Sequence, residues 1–435
     1  MKIRLPRTGY LGVLAVVCGA SPPLPAPVLS AQEPEVDVAN LAALPGVERA
    51  LMLVDERDVR TMSDLLEITE IPAPPFGEES RGRRFAEMLA DYGADSVWTD
   101  EEGNVIGLRR GLGSDAGVLA VTGHLDTVFP EGTDVTVRQR GDTLFAPGIG
   151  DDSRGLAALL AVLRTLEEAG VETRDDLLFV GTVGEEGIGD LRGVKHLFRE
   201  GGPRIDAFIS VDGTGHATIT HQGLGSYRYR VTVRGPGGHS WSAFGLANAA
   251  HALGRIISAF DLASDAITRN GPRTSYNVGR IGGGTSVNSI PFEAWMEIDM
   301  RSISPEHLTR IDDAFRHTVE RTLLEVNAAR REGPELSAEI EMIGNRPSGE
   351  IPADHPLVRT AVDVSEYLGI DPVLGRGSTD SNIPISLGIP AITIGGGGVG
   401  FGAHSPGEWF INREGTLGIK RALLIALARA GVAES

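Results

Sequence analysis

The sequence predicts an α/β fold, a three-layer domain around a mainly parallel sheet, with a small α+β sandwich inserted into it. Three observations carry that prediction. A chain of 435 residues exceeds what one ordinary core needs, so two domains are expected. The apolar runs "GVLAVTGH", "DLLFVGTV" and "DAFISVDG" are separated by stretches with helical spacing, the alternation of a parallel α/β sheet. From Gly223 the order becomes strand, helix, strand, strand, helix, strand, and after Pro352 the first pattern returns. The boundaries that follow are 46–222 and 345–435 for the α/β domain and 223–344 for the insert.

Taken in order, residues 1–31 read as an export signal. Lys2, Arg4 and Arg7 precede an apolar run from Tyr10 to Val17, too short to span a bilayer comfortably, and small residues and prolines follow. Cleavage after Ala20 and cleavage after Ala31 both fit. The protein is therefore expected to be exported, periplasmic or secreted. Residues 32–45 read as a linker. Next, "DVRTMSDLLEITEIP" and "GEESRGRRFAEMLADYG" carry apolar residues at helical spacing, with Gly93 ending the second helix. Helices are expected from near Ser153 and near Leu191. In the insert, "SYRYRVTVRG" leads into a helix from Ala243 to Phe260, the strands "TSYNVGRIGGG" and "AWMEIDMRS", a helix from Pro305 to Leu324 and the strand "LSAEIEMIG". A helix around Leu357–Tyr367, the strand "PAITIGGG" and a helix at Leu417–Ala430 close the α/β domain.

Composition narrows the chemistry. The net charge is −19, and removal of residues 1–31, with three basic and no acidic side chains, makes it three units more negative. Nucleic acid and anionic membrane are poor partners for such a chain. Cys18 is the single cysteine. The branched Val17 before it is a poor lipid-attachment context, so no stable membrane anchor is expected. Without residues 1–31 the chain has no thiol, so any metal must be held by His, Asp and Glu.

Five stretches supply those residue types in turns just beyond apolar runs: "VTGHLDTVF", "GIGDDSRG", "GTVGEEGIGD", "ISVDGTG" and "GAHSPGEW". Ligands bind beyond the carboxyl ends of strands in open α/β sheets. A lone His at a strand end is commonly a satisfied polar residue, and paired acids are commonly a solvated face. Five such segments together fit a two-metal hydrolytic centre better than that bland alternative.

Over residues 57–433 these motifs, in this order, resemble the di-zinc exopeptidases and deacylases that include tripeptidase T, glutamate carboxypeptidase, acetylornithine deacetylase and aminoacylase. The resemblance implies a phosphorylase/hydrolase-like catalytic domain, an inserted dimerisation (lid) domain, a homodimer, and two Zn2+ per chain with Co2+ or Mn2+ as substitutes. It makes His124 and Asp212 ligands of one zinc, Glu186 and His404 ligands of the other, and Asp151 the bridge. Asp126 is then the carboxylate behind His124, Glu185 the general base, and Asp152 a neighbour of the bridge. The resemblance also implies a cis peptide at Asp151–Asp152. "GPGGHSW" places His239 as an oxyanion donor that reaches the partner subunit's site, and "GGGTSVNSIP" places Asn288 as a second polar contact to substrate.

Asp212, where deacetylase and carboxypeptidase branches resemble one another in having Glu, points to aminopeptidases. "GRGSTDSNIPISLGIPAITIGGG" resembles a tripeptidase stretch and puts Arg376 where a guanidinium holds the peptide carboxylate; a surface ion pair is its bland alternative. "HSPGEW" replaces the tripeptidase "HGKHE". The implied function is zinc-dependent hydrolysis of the N-terminal bond of short peptides. N-acyl-amino-acid hydrolase or carboxypeptidase is the enzymatic rival, and a catalytically inactive ligand-binding relative the rival of another class.

Overall fold

A computed structural model describes residues 36–433. The proposed signal segment, Cys18, both cleavage sites and the first part of the linker lie outside the described residues. The rest of the linker is corrected. Val38–Ala42 is a helix that buries Val38, Leu41 and Ala42 in the main core, and a second helix, Pro45–Glu56, follows at once. Pro45 stands at the start of the second helix, where its missing N–H costs nothing and its fixed φ suits the turn.

The main sheet has nine strands. Asp176–Thr182, Val118–His124, Ala207–Val211 and Ala391–Ile394 run parallel at its centre. Val105–Arg109 and then Ser96–Thr99 extend one side, both antiparallel. On the other side Thr218–Gly223 pairs antiparallel with Ala391–Ile394, and it also pairs with Val373–Gly377 and Gly349–Glu350. The central strands are apolar without alternation because both faces are covered. The helix Ser153–Ala169 is buried on all sides through Leu166, which a helix without a polar face requires. Among the described residues no helix is long and apolar enough to cross a membrane.

Residues 225–346 build a four-stranded antiparallel sheet in the order Thr274–Gly283, Glu293–Ser302, Gly225–Arg234, Ser337–Arg346. The helices Ala249–Arg269 and Pro305–Ala329 pack on it. Strand Glu293–Ser302 alternates buried and half-buried positions along its length, so one face meets the helices. Its core is separate from the main one and centres on Tyr229, Phe260, Met296 and Phe315. The first helix starts six residues later than expected: the Asn248 side chain accepts the His251 N–H at 3.1 Å and caps it there. A further small sheet, formed by Val399–Phe401, Trp409–Ile411, Thr143–Phe145 and Arg138–Arg140, had no clear signal in the sequence.

Candidate metal centre

The centre lies where the parallel strands end. Val118–His124 delivers His124 at its last position, and Ala207–Val211 delivers Asp212 one residue beyond its end. Asp176–Thr182 runs into the Gly184-Glu185-Glu186 turn, in which Gly184 takes φ 68. Asp151 precedes the buried helix Ser153–Ala169, and the Asp151–Asp152 peptide is cis. His404 sits in a left-handed turn at φ 64, in the loop between strands Val399–Phe401 and Trp409–Ile411.

These turns bring two His–carboxylate groups together, His124 with Asp151 and Asp212, and His404 with Asp151 and Glu186. Within each, the candidate ligand atoms lie within 4.8 Å of one another. Asp151 is common to both: its Oδ1 is 2.9 Å from His124 Nε2 and its Oδ2 is 3.2 Å from His404 Nε2. Glu186 Oε1 is 2.7 Å from His404 Nε2. His124, Glu185 and Glu186 form a third such group.

The second acids of the paired motifs do different work from the first. Asp152 caps the buried helix through Gly155 N–H at 3.0 Å. It also accepts the N–H groups of Gly213 and His124 at 3.0 Å each, tying three of the contributing segments together. The Asp126 expectation needs correction. His124 Nδ1 faces the Asp126 backbone carbonyl at 3.0 Å, with the carboxylate farther away at 3.7 Å. That carboxylate instead accepts the N–H groups of Glu185 at 3.0 Å and Glu186 at 2.8 Å. The tautomer of His124 is therefore held by a main-chain oxygen, while the Asp126 side chain fixes the acid turn.

The charges fit cations. Burial drives the Glu185 and Glu186 carboxyls above their usual range, with neighbouring carboxylates adding to the effect. Burial likewise pushes Asp212 up to about 7. His404 rises to about 9, first through its hydrogen bond to Asp151. Burial is the largest single influence on His124 and on Asp151 and opposes their charge, yet their mutual bond together with the neighbouring opposite charges outweighs it, Asp152 and Asp126 for the imidazole and His404 for the carboxyl, holding the imidazole well above and the carboxyl below the ordinary value. Crowded carboxylates that hold protons, around imidazoles that gain them, are short of positive charge. A His/carboxylate donor set without thiolate suits Zn2+ and related divalent ions.

Three residues of this region were missed in the sequence. Buried Arg346 ends the last strand of the sandwich and donates from Nη1 to Glu185 Oε1 at 3.1 Å and from Nη2 to the Glu185 carbonyl. Buried Asp380 accepts from Thr182 Oγ1 at 2.5 Å, and burial pushes it up to about 6. Glu408 accepts the N–H groups of Gly148 at 2.7 Å, Gly150 at 2.8 Å and Asp151 at 3.1 Å, bracing the bridge loop from the loop that carries His404. Only Glu408 left a trace in the sequence, an acid four residues after His404 as in "HGKHE".

The remaining expected site residues are not bonded to the cluster. Among the described residues no hydrogen bond or ion pair joins His239, Asn288 or Arg376 to it. His239 and Asn288 come together on a two-stranded ribbon, with Ser240 N–H donating to the Asn288 carbonyl at 2.9 Å. His239 is exposed, and its Nδ1 accepts the Trp241 N–H at 3.2 Å. Arg376 is exposed on strand Val373–Gly377.

Residues 120–429 match the model of peptidase family M20/M25/M40. Acetylornithine deacetylase of Myxococcus xanthus is 25% identical over 380 residues, 85% of this chain and 93% of that protein. Carboxypeptidase G2 of Pseudomonas sp. is 28% identical over 69% of this chain and 71% of its own length. The crystal structure of aminopeptidase PepT from Bacillus cereus superposes with a TM-score of 0.68 at 21% identity, covering 85% of this chain and 98% of that one. The family match spans every one of the clustered candidate ligands, and a His/carboxylate centre of this charge has a clear use in such a family. The chain belongs to peptidase family M20/M25/M40 and is a metallohydrolase acting on amide bonds.

Proposed function

We propose that the protein is a zinc-dependent exopeptidase that releases the N-terminal residue of short peptides, exported and acting as a homodimer. The observation that carries the reading is the pair of His–carboxylate groups sharing Asp151, with Glu185 beside them. Divalent ions held there would supply Lewis acidity toward a scissile carbonyl and a lowered pKa for the attacking water. Glu185 takes that water's proton. The same carboxyl group then returns the proton to the leaving amine. Asp126 holds the backbone of the turn that carries both acids, through their N–H groups.

Arg346 is better placed than Arg376 to receive a substrate carboxylate, because it is buried against Glu185 and its Nε has no partner. The His239 ring supports the dimer reading. With Nδ1 accepting a backbone N–H, the proton sits on Nε2, leaving an exposed donor for an oxyanion in the partner subunit's site.

Asp212 favours the aminopeptidase branch, and the PepT structure is similar to this chain in fold. The second reading, N-acyl-amino-acid hydrolase or carboxypeptidase, is favoured by the likeness to acetylornithine deacetylase and carboxypeptidase G2. Zinc-loaded protein incubated with di- and tripeptides, N-acetyl amino acids and folyl-glutamates separates them. The proposal expects free N-terminal residues from the peptides alone. Release confined to acylated substrates would replace it with the second reading.

A further inference from the structure

Beside the acid turn the chain builds an apolar cleft of about 730 Å3 to which the chemistry above gives no task. Its walls adjoin the metal centre along the chain. Gly187 and Ile188 directly follow Glu186, and Val128 lies two residues beyond Asp126. Pro72, Pro74 and Pro75 form another wall, fastened to the same strand end by the Thr127 N–H, which donates to the Ala73 carbonyl at 2.9 Å.

Two large side chains at this cleft stay in water, Ile188 at 70% exposure and Phe76 at 64%. Phe76 is held there by its neighbours. Its backbone takes φ 65, a region unfavourable to a bulky residue. The Arg192 guanidinium lies 4.8 Å from the ring centroid and is itself fixed by Glu78 at 2.6 Å and Glu102 at 3.3 Å. Glu78 also accepts the Phe76 N–H at 3.2 Å. An aromatic ring anchored this way cannot fold back to cover itself, so its face remains open to whatever enters the cleft. The one charged lining residue is Glu131, which is exposed.

We propose that this cleft receives the side chain of the substrate's N-terminal residue, the one that carries the scissile carbonyl, and that it selects bulky apolar side chains over glycine and rejects acidic ones. The inference rests on the N-terminal exopeptidase reading. A carbonyl polarised by ions at His124 and Glu186 would stand beside the two turns that these residues begin, and the cleft walls are the immediate continuations of those turns. The substituent on the adjacent α-carbon therefore reaches them first. Proline walls are already rigid, so contact with them costs little ordering. Glu131 repels a second carboxylate and offers nothing against an aliphatic chain.

The test compares two series of zinc-loaded hydrolyses, X-Gly-Gly and Gly-X-Gly with X as Gly, Leu, Phe or Glu, in wild type, Ile188→Ser and Phe76→Asn. Asn tolerates a left-handed backbone, so the second variant removes the ring without adding strain. In wild type, Leu and Phe should exceed Gly by about 10²-fold in kcat/KM in the first series, with Glu poorest, as removal of several apolar groups from a pocket allows. The second series should be nearly flat. Each variant should compress the first-series preference by about tenfold. Equal rates across X-Gly-Gly, a preference found only in Gly-X-Gly, or a preference surviving both substitutions would overturn the assignment. Failure of the underlying reading looks different: neither series releases an amino acid while acylated substrates are cleaved, and both proposals then fall.

Discussion

Replacing Glu408 with Ala removes one buried carboxylate that accepts three main-chain N–H groups from the loop ending in Asp151. Gly150 and Asp151 share one oxygen at 2.8 and 3.1 Å, while Gly148 takes the other at 2.7 Å. Each N–H left unsatisfied costs about 1–3 kcal/mol. Water entering the space vacated by the side chain will restore part of this, so a total near 3 kcal/mol is expected. Burial costs the Glu408 carboxylate some of its stability, as its raised pKa shows, and that further reduces the net loss. The larger consequence falls on metal affinity, because Asp151 belongs to both ligand groups and its loop would no longer be braced. Outer partners of ligands typically contribute 10–100-fold in affinity. Competitive zinc titration with a chromophoric chelator should show both sites weakened in Glu408→Ala, with Glu408→Gln between it and wild type. An unchanged titration with unchanged chemical stability would refute the idea that Glu408 positions the bridge.

The other predictions concern the base, the charge balance and the dimer. Glu185→Ala should keep its metal and lose about 10²–10⁴ in kcat, whereas Glu186→Ala should lose metal first; equal metal loss in both, measured by elemental analysis, would undo that division. In metal-free protein Asp380 at about 6, Asp212 at about 7 and His404 at about 9 all bind protons more tightly folded than unfolded. Their linkage makes metal-free stability fall as pH rises from about 4 to about 9. Metal binding opposes this by displacing the protons, so the melting-temperature gap between zinc-loaded and chelated samples should widen with pH; a constant gap would contradict the charge account. Exchanging subunits between His239→Ala and Glu185→Ala homodimers should restore up to half the wild-type rate, since one composite site is then intact. No recovery despite exchange confirmed by mass would place His239 outside the mechanism.

The ligand residues were legible because each follows an apolar run at a turn, and a parallel sheet gathers such turns at one edge. His124, Glu186 and Asp212 converge for that topological reason, whereas Asp151 and His404 come from loops that follow strands of the small four-stranded sheet. Arg346, Asp380 and Glu408 act across 161, 198 and 260 residues of chain, and such pairings leave no local period. Asp126 shows a subtler limit. A His-x-Asp spacing suggests a carboxylate behind the imidazole, yet main-chain geometry gave that place to its carbonyl and freed the carboxylate for two N–H groups. The stretch 32–45, expected as linker, contains the Val38–Ala42 helix, and Pro45 at its end begins the helix Pro45–Glu56. The late start of Ala249–Arg269 reflects the Asn248 cap, which outweighs the small apolar residues before it.

The number of divalent ions per active chain decides whether the centre is binuclear. Protein expressed with zinc, freed of loosely bound ions and assayed in the same preparation should carry two divalent ions per chain, and chelation should abolish turnover. Asp151→Asn should weaken both sites together because both groups use that residue. A fully active preparation with a single ion per chain would contradict a centre bridged by Asp151.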